Sequence, residues 1–160
     1  MRGPEEMANG SFDAPSLKVR ALRLLSQREY SRAELERKLA RHEEEPGTLA
    51  QALDELSARN FISQSRVVQS VLHQKAPRLG AARVRQELQR KGIEPEAIAD
   101  AVRELQATEL ARATEIWRRR FGEVPQDAAA RAKQMRFLLT RGFSSAVAAR
   151  ITRTDENDAA

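Results

Sequence analysis

The 160-residue sequence contains no cysteine and only 4% aromatic residues, and both shortages limit what the chain can be. Without cysteine, neither a disulfide framework nor a thiolate metal site can form. Because 41% of the residues are nevertheless hydrophobic, the core must consist mostly of Leu, Val, Ile and Ala, which is typical of packed helices. The apolar runs are far shorter than the roughly 20 residues of a membrane-spanning helix. Residues 1–14 lack the apolar segment of a secretory signal, so we expect a cytoplasmic protein.

Motifs for catalysis are missing as well. The chain has two histidines, His42 and His73, which are too few to make a metal site without cysteine. It has no glycine-rich phosphate loop, no nucleophile elbow and no HExxH pair. Pairs such as Glu34 and Lys38, four positions apart, are interpreted as surface support within a helix. The sequence therefore predicts a protein that is not an enzyme and that needs no cofactor or metal.

A segment of about 50 residues recurs along the chain. A shift of 49 positions places Leu39 on Leu88, and a further 50 positions places Leu88 on Leu138 and Gly92 on Gly142. A fixed period of about 20–50 residues is typical of stacked arrays, in which each unit buries its apolar face on its neighbours. Such arrays present long surfaces that suit extended partners.

Residues that start helices recur along the chain. Ser31 with Glu34, and Thr48 with Gln51, fit the capping-box pattern, and Pro95 fits the first turn of a helix. Apolar residues follow at helical spacing, and no segment alternates with period two, so no sheet is expected. The sequence predicts nine helices, at residues 17–28, 32–42, 48–59, 64–76, 81–91, 95–106, 109–122, 127–141 and 145–152.

Other residues indicate where these helices begin or end. Ser63 and Ser144 are predicted N-caps, and Gly92 and Gly142 are predicted to end helices in the left-handed conformation. Pro77 should end the helix that precedes it. The predicted organisation is all-α, with a disordered N-terminal tail, three three-helix repeats and a disordered acidic C-terminal tail, at residues 1–15, 16–62, 63–107, 108–153 and 154–160. The predicted core includes Leu39, Leu88, Val102, Trp117 and Leu138.

Charge is distributed unevenly along the chain. Residues 109–153 carry ten arginines and lysines against four acids, whereas both ends of the chain are acidic. Most of the 28 basic residues are arginine, which forms bidentate contacts with phosphate and carboxylate groups. A basic C-terminal half predicts a polyanion or an acidic protein surface as the partner.

Three stretches, taken in order, resemble the signatures of the RecX family, the bacterial regulators of RecA recombinase. Ala21–Leu39 is similar to the opening signature, Gly80–Ile93 to the middle one, and Phe137–Ile151 to the closing one. The closing stretch includes the tetrapeptide RGFS at Arg141–Ser144, and the resemblance covers residues 17–153. The chain departs from the family in having Gln64-Ser65-Arg66-Val67 at the start of the second unit and fewer bases before Gly80.

The resemblance implies an elongated, curved array of three tandem three-helix repeats. It also implies binding along the groove of the RecA–single-stranded DNA filament, with suppression of strand exchange, ATP hydrolysis and coprotease activity. No cofactor is implied. The net charge and the lack of an uncovered apolar stripe favour a monomer.

The predicted contacts with RecA, or with DNA in or beside the filament, are basic residues of the second and third units. They are Arg66, Lys75, Arg78, Arg83, Arg85, Arg90, Lys91, Arg118, Arg119, Arg120, Lys133, Arg136 and Arg141. Two alternatives remain open. Three-helix units can resemble helix-turn-helix domains, so the chain could bind nucleic acid directly. It could also be a helical adaptor for a different acidic partner.

Overall fold

The computed structural model describes residues 14–153, which fold entirely as helices and turns. The prediction of an all-α fold is therefore confirmed. The predicted tails lie outside the described residues, apart from Ala14 and Pro15. The helices are α1 (Leu17–Leu25), α2 (Arg32–Leu39), α3 (Thr48–Ala58), α4 (Gln64–Lys75), α5 (Ala81–Arg90), α6 (Pro95–Arg120), α7 (Ala128–Thr140) and α8 (Ser145–Ile151), and a short 3₁₀ turn, Ala40–His42, extends α2.

The first unit consists of α1, α2 and α3 around a small aliphatic core. Leu35, Leu53 and Leu56 are fully buried in it. The capping box at the start of α2 is confirmed, because the Ser31 hydroxyl accepts from the Glu34 N–H while the Glu34 carboxylate accepts from the Ser31 N–H. These reciprocal bonds use donors that the first turn of a helix leaves free.

The capping box predicted at Thr48 is wrong. Thr48 is the first residue of α3, and Gly47, at φ +90°, precedes it as the N-cap. The Thr48 hydroxyl donates to the Glu45 carbonyl at 2.7 Å, and the Glu43 carboxylate accepts from the Leu49 N–H at 2.8 Å. A side chain from the preceding loop thus caps this helix in place of the predicted local hydroxyl.

The second unit consists of α4, α5 and the first half of α6. Its core contains Leu88, Val84, Val67 and Val102. Ser63 caps α4 as predicted, by accepting from the Arg66 N–H at 3.2 Å. The last residue of α4 is Lys75, two positions before Pro77, so the predicted helix end is also confirmed.

The third unit consists of the second half of α6 with α7 and α8. Leu138, Ala113 and Ala148 are fully buried in its core, and Phe143 is almost fully buried. Four of the five predicted core residues are buried, namely Leu39, Leu88, Val102 and Leu138. Trp117 is only half-buried; it packs against this core, and its indole N–H donates to the Gln134 side-chain oxygen at 2.8 Å.

The prediction of nine helices is wrong at one position, because the helices expected at 95–106 and 109–122 form a single helix, α6. Gln106, Ala107 and Thr108 include neither glycine nor proline, so nothing local ends the helix. At 26 residues, α6 is about 39 Å long and contributes to two cores. The boundary predicted between residues 107 and 108 lies inside α6 and stays a prediction.

The first and second units meet where the end of α5 lies against α2. An ideal Cβ on Gly92, which has φ +70°, would lie 2.6 Å from the Ala33 Cβ, so a side chain at this position would obstruct the approach. The Arg37 guanidinium donates to the Arg90 carbonyl at 2.7 Å, and the Lys91 amine lies 3.2 Å from the Glu34 carboxylate. We call this contact the first joint.

The second and third units meet in an equivalent way, with the end of α7 against the start of α5. The Gly80 N–H donates to the Arg141 carbonyl at 2.8 Å, and the Ala82 N–H donates to the Gly142 carbonyl at 3.2 Å. The Arg83 guanidinium donates to the Thr140 carbonyl at 2.8 Å. The carbonyl that accepts the arginine hydrogen bond belongs to Thr140 in this second joint and to Arg90, 50 residues earlier, in the first joint. The repeat in the sequence is therefore also a repeat in how neighbouring units contact each other.

Candidate functional site

Four of the predicted contact residues line a groove between the second and third units. This surface, here the arginine groove, has a volume of about 360 Å³. Three uncharged residues complete its lining: Pro77, Ile116 and Phe137. No carboxylate of the described residues lines it, and its cations there are Arg78, Arg119, Arg120 and Arg141.

Each arginine reaches the groove from the end of a helix or from a loop. Arg78 follows the end of α4, Arg119 and Arg120 are in the last turn of α6, and Arg141 is the C-cap of α7. Cations at helix C-termini are favoured by the negative end of the helix dipole. The chain thus brings three helix C-termini, with their basic residues, to one surface.

Arg141 and Phe137 contact each other within the groove. The Arg141 guanidinium carbon lies 3.5 Å from the centre of the Phe137 ring, and its Nη1 donates to the Phe137 carbonyl at 3.0 Å. The Phe121 ring meets Phe137 edge-on, with centroids 5.2 Å apart. These contacts hold the guanidinium in one orientation, which reduces the entropy lost when it binds an anion.

Among the described residues, Arg78, Arg120 and Arg141 have no ion-pair partner, whereas Arg119 lies 3.1 Å from the Glu115 carboxylate. Arg119 is highly exposed, so this ion pair contributes little to stability. The arginine groove therefore presents more positive charge than its own neighbours neutralise. An anionic partner would supply the missing counter-charge.

Two predicted contact residues form ion pairs with the first unit. Lys91 pairs with Glu34 in the first joint, and both side chains are largely buried. Arg66 lies 2.9 Å from the Glu29 carboxylate and also donates to the Asn60 carbonyl. Both charges are thus paired with carboxylates of the same chain. Sequence patterns could not show these ion pairs, because Glu34 is 57 residues from Lys91 and Glu29 is 37 residues from Arg66.

The remaining predicted residues lie outside the arginine groove. Arg83 is in the second joint, Lys75 lies in a cleft beside Lys91, and Arg118 lies 3.4 Å from Glu115. The others are exposed on α5 and α7, and no ion pair forms to them within residues 14–153: Arg85, Arg90, Lys133 and Arg136. Their part in binding stays a prediction.

Arg112 positions the loop that carries Arg78. Its Nη1 donates to the carbonyls of Ala76 and Leu79, both at 2.7 Å, and its Nη2 donates to the Leu105 carbonyl at 2.9 Å. Burial lowers the pKa of Arg112, although the nearby Glu109 carboxylate opposes the shift. The sequence does not single out this residue, because an arginine within a long basic segment has no pattern that indicates burial.

Glu109, one turn before Arg112 on the same face of α6, supports the same region. It is buried, and its carboxylate accepts from the Ala81 N–H at 3.1 Å, which caps α5 where the N-cap Gly80 has no side chain to do so. Glu109 was also missed by the sequence analysis. It holds the start of α5 in place, and therefore the second joint.

The structure offers little for other kinds of site. Within residues 14–153 no group of three or more His, Asp and Glu side chains could hold a metal ion. Over the same range, no helix is both long and apolar enough to cross a membrane. The arginine groove and the basic faces beside it are thus the strongest candidate surface in the described part of the chain.

Comparison with known protein families finds three consecutive matches. Residues 18–56 match the first three-helix domain of RecX, residues 63–102 the second and residues 107–151 the third. These matches confirm three tandem three-helix repeats. They also agree in order with the three cores of the structure.

Curated relatives and solved structures agree with these matches. The chain is 51% identical over 143 residues to the regulatory protein RecX of Leptothrix cholodnii, covering 89% of this chain and 91% of that one. It is 50% identical to the regulatory protein RecX of Ralstonia nicotianae, covering 85% and 86% of the two chains. The crystal structure of RecX from Lactobacillus salivarius aligns with a TM-score of 0.70 at 21% identity, over 90% of this chain and 96% of that one, and supports the fold. The chain belongs to the RecX family.

Proposed function

We propose that this protein is an inhibitory regulator of RecA recombinase. It binds in the groove of the RecA–single-stranded DNA filament and suppresses strand exchange, ATP hydrolysis and coprotease activity. The observation that carries the proposal is the arginine groove, a cationic surface between two units in a chain whose relatives are named regulatory proteins. An array of three stacked units also presents an extended surface, which suits a filament as the partner.

The proposed mechanism is occupation of the filament groove, with no chemical step. Basic side chains of the second and third units face the filament, and the bound array obstructs incoming duplex DNA. It also hinders subunit addition or coordinated ATP turnover. Because the contacts are ionic and spread along a surface, binding should weaken as salt rises. We expect the protein to act as a cytoplasmic monomer.

The direct test is ATP hydrolysis by the cognate RecA on single-stranded DNA while the protein is titrated in. Inhibition well below one copy per recombinase subunit would indicate filament capping, whereas inhibition near one copy would indicate coating of the groove. No effect from a protein with a normal helical circular dichroism spectrum would contradict the proposal.

A paired set of variants tests whether the arginine groove is the contact. Arg78→Glu with Arg120→Glu reverses two groove charges that have no ion-pair partner within residues 14–153. Arg23→Glu with Arg59→Glu reverses two exposed charges on the first unit and changes the net charge equally. We expect the groove variant to need at least tenfold more protein for half-inhibition and the control to differ by less than twofold. Equal effects would show that net charge alone matters.

Direct binding to nucleic acid is the second candidate, since the same basic residues could neutralise phosphates. It predicts binding to naked single-stranded DNA with a log–log salt slope of about −0.7 per phosphate contacted. Binding that requires the recombinase should disappear on naked DNA at moderate salt.

A further inference from the structure

The arginine groove continues into a second, more apolar depression along α6. This apolar depression has a volume of about 530 Å³ and shares Pro77, Ile116 and Arg119 with the arginine groove. Its remaining apolar lining comes from Leu72, Ala76 and Ala111; its polar lining comes from His73, Arg112 and Glu115. The two form one continuous cleft, cationic at one end and largely apolar at the other.

Phe137 is the aromatic ring among the described residues that line this cleft, and it and two rings nearby are already in contact with other groups. Arg141 lies over one face of Phe137, Phe121 packs against that ring at an interplanar angle of 82°, and the Trp117 N–H is bonded to Gln134. Proteins that bind single-stranded nucleic acid generally stack bases on open aromatic faces between their basic residues. The cleft lacks such a platform among its described lining residues, so its chemistry does not favour bases as the ligand.

The same features suit a peptide that carries both carboxylates and an apolar side chain. Arg78, Arg120 and Arg141 have no ion-pair partner among the described residues, and the Arg141 guanidinium is held in a fixed orientation. Carboxylates bind such guanidinium groups in bidentate geometry. An apolar side chain of the same peptide would enter the neighbouring depression and be removed from water there.

We propose that the cleft between the second and third units is a docking site for an acidic protein segment with an apolar anchor residue. This inference rests on the proposed function, in which the partner protein is the recombinase in its filament. The acidic end of the segment contacts the arginine groove, and the anchor enters the apolar depression. Contacts with DNA held by the same filament lie outside this cleft.

Site-specific photo-crosslinking tests this proposal on the full chain. Ala111 lines the apolar depression and is exposed, so p-benzoylphenylalanine can replace it without removing an arginine. Ala107, exposed one turn earlier on α6 and outside both cavities, provides the matched control. Each variant is irradiated with RecA filaments on single-stranded DNA, products are identified by mass spectrometry, and ATP hydrolysis is followed in parallel.

The expected product joins residue 111 to a recombinase peptide that contains Asp or Glu beside an apolar residue, and the Ala107 variant does not give it. A crosslink from residue 111 to DNA would overturn the proposal. So would the absence of any crosslink from a variant that still inhibits ATP hydrolysis. Failure of the unmodified protein to inhibit hydrolysis would instead contradict the proposed function.

A second measurement needs no crosslinker. Arg78→Gln with Arg141→Gln should weaken binding to RecA filaments about tenfold while affinity for naked oligo(dT) changes by less than twofold. An equal loss on oligo(dT) would show that these arginines contact DNA phosphates and would overturn the proposal. Circular dichroism of the variant confirms that any change reflects binding and not unfolding.

Discussion

The backbone N–H of Gly80 donates a hydrogen bond to the carbonyl oxygen of Arg141, with 2.8 Å between the two atoms. This bond joins the start of α5 to the end of α7 and brings Arg141 into the arginine groove. An ideal Cβ on Gly80 would lie 2.3 Å from the backbone of Gly142 and Phe143. The close approach of the two units therefore depends on a residue without a side chain.

Gly80→Ala should destabilise the second joint, because the new methyl group would force two backbones apart. We expect the free energy of unfolding to fall by about 1–3 kcal/mol, the usual cost of overpacking. Urea unfolding followed by Trp117 fluorescence measures it. Gly47→Ala separates packing from backbone strain. Nothing lies within 4 Å of a Cβ at Gly47, but its φ of +90° disfavours alanine, whereas the φ of −78° at Gly80 suits alanine and only the packing there opposes the new methyl group. An unchanged urea midpoint for Gly80→Ala would contradict the close packing of Gly80 against the backbone of Gly142 and Phe143.

Protonation of Glu34 should weaken the first joint. Burial raises the pKa of this carboxyl, but hydrogen bonds from Arg28, the Ser31 N–H and Lys91 outweigh burial and lower the pKa to about 2. Because the folded pKa is below the unfolded value of 4.5, the stabilisation is complete above about pH 4.5 and is lost as pH falls toward 2. Allowing for screening by solvent, we expect about 1 kcal/mol.

Glu34→Gln tests this linkage. The variant should be less stable than the natural chain at pH 7, and the difference should shrink at pH 3, as measured by urea unfolding at both pH values. Glu104→Gln changes an exposed carboxylate that forms no ion pair within the described residues and should have little effect at either pH. A difference for Glu34→Gln that is independent of pH would show that the ion pairs are not its cause.

Arg112→Lys should destabilise the fold although the positive charge is kept. A lysine amine cannot replace the guanidinium that donates to the carbonyls of Ala76, Leu79 and Leu105. We expect a loss of about 1–3 kcal/mol in thermal unfolding, since these partly buried carbonyls lose the guanidinium as a donor. Arg103→Lys, at an exposed position on the same helix, should change stability by less than about 0.5 kcal/mol. Equal effects would argue against a structural contribution from Arg112.

Lys91→Met and Arg78→Met should separate residues that hold the array together from residues that bind the partner. Lys91 forms an internal ion pair, so its replacement should lower stability by about 1 kcal/mol and leave inhibition of ATP hydrolysis by the folded protein within twofold. Arg78 forms no ion pair in the described part of the chain, so its replacement should leave stability unchanged and weaken inhibition three- to tenfold. The reverse pattern would place the contact surface at the first joint.

Local features of the sequence predicted much of the fold because helix starts, helix ends and apolar faces are set by nearby residues. The predicted N-cap hydrogen bonds are present at Ser31, Ser63 and Ser144. The predicted left-handed conformation, with positive φ, is present at Gly92 and Gly142. The candidate site was less predictable. The predicted list of basic residues includes the groove arginines but does not distinguish them from Lys91 and Arg66, whose partners are remote in sequence.

By itself the sequence determined the helical class, the three repeated units and most of their buried residues, because each depends on spacing within about 50 positions. The tertiary structure decided which basic side chains form ion pairs within the chain and which remain available to bind a partner. It joined two predicted helices into α6, because no residue near Thr108 ends a helix and both halves find cores to pack against. It also brought Arg78 and Arg141 together, since only the contact between neighbouring units at Gly80 and Gly142 sets that distance.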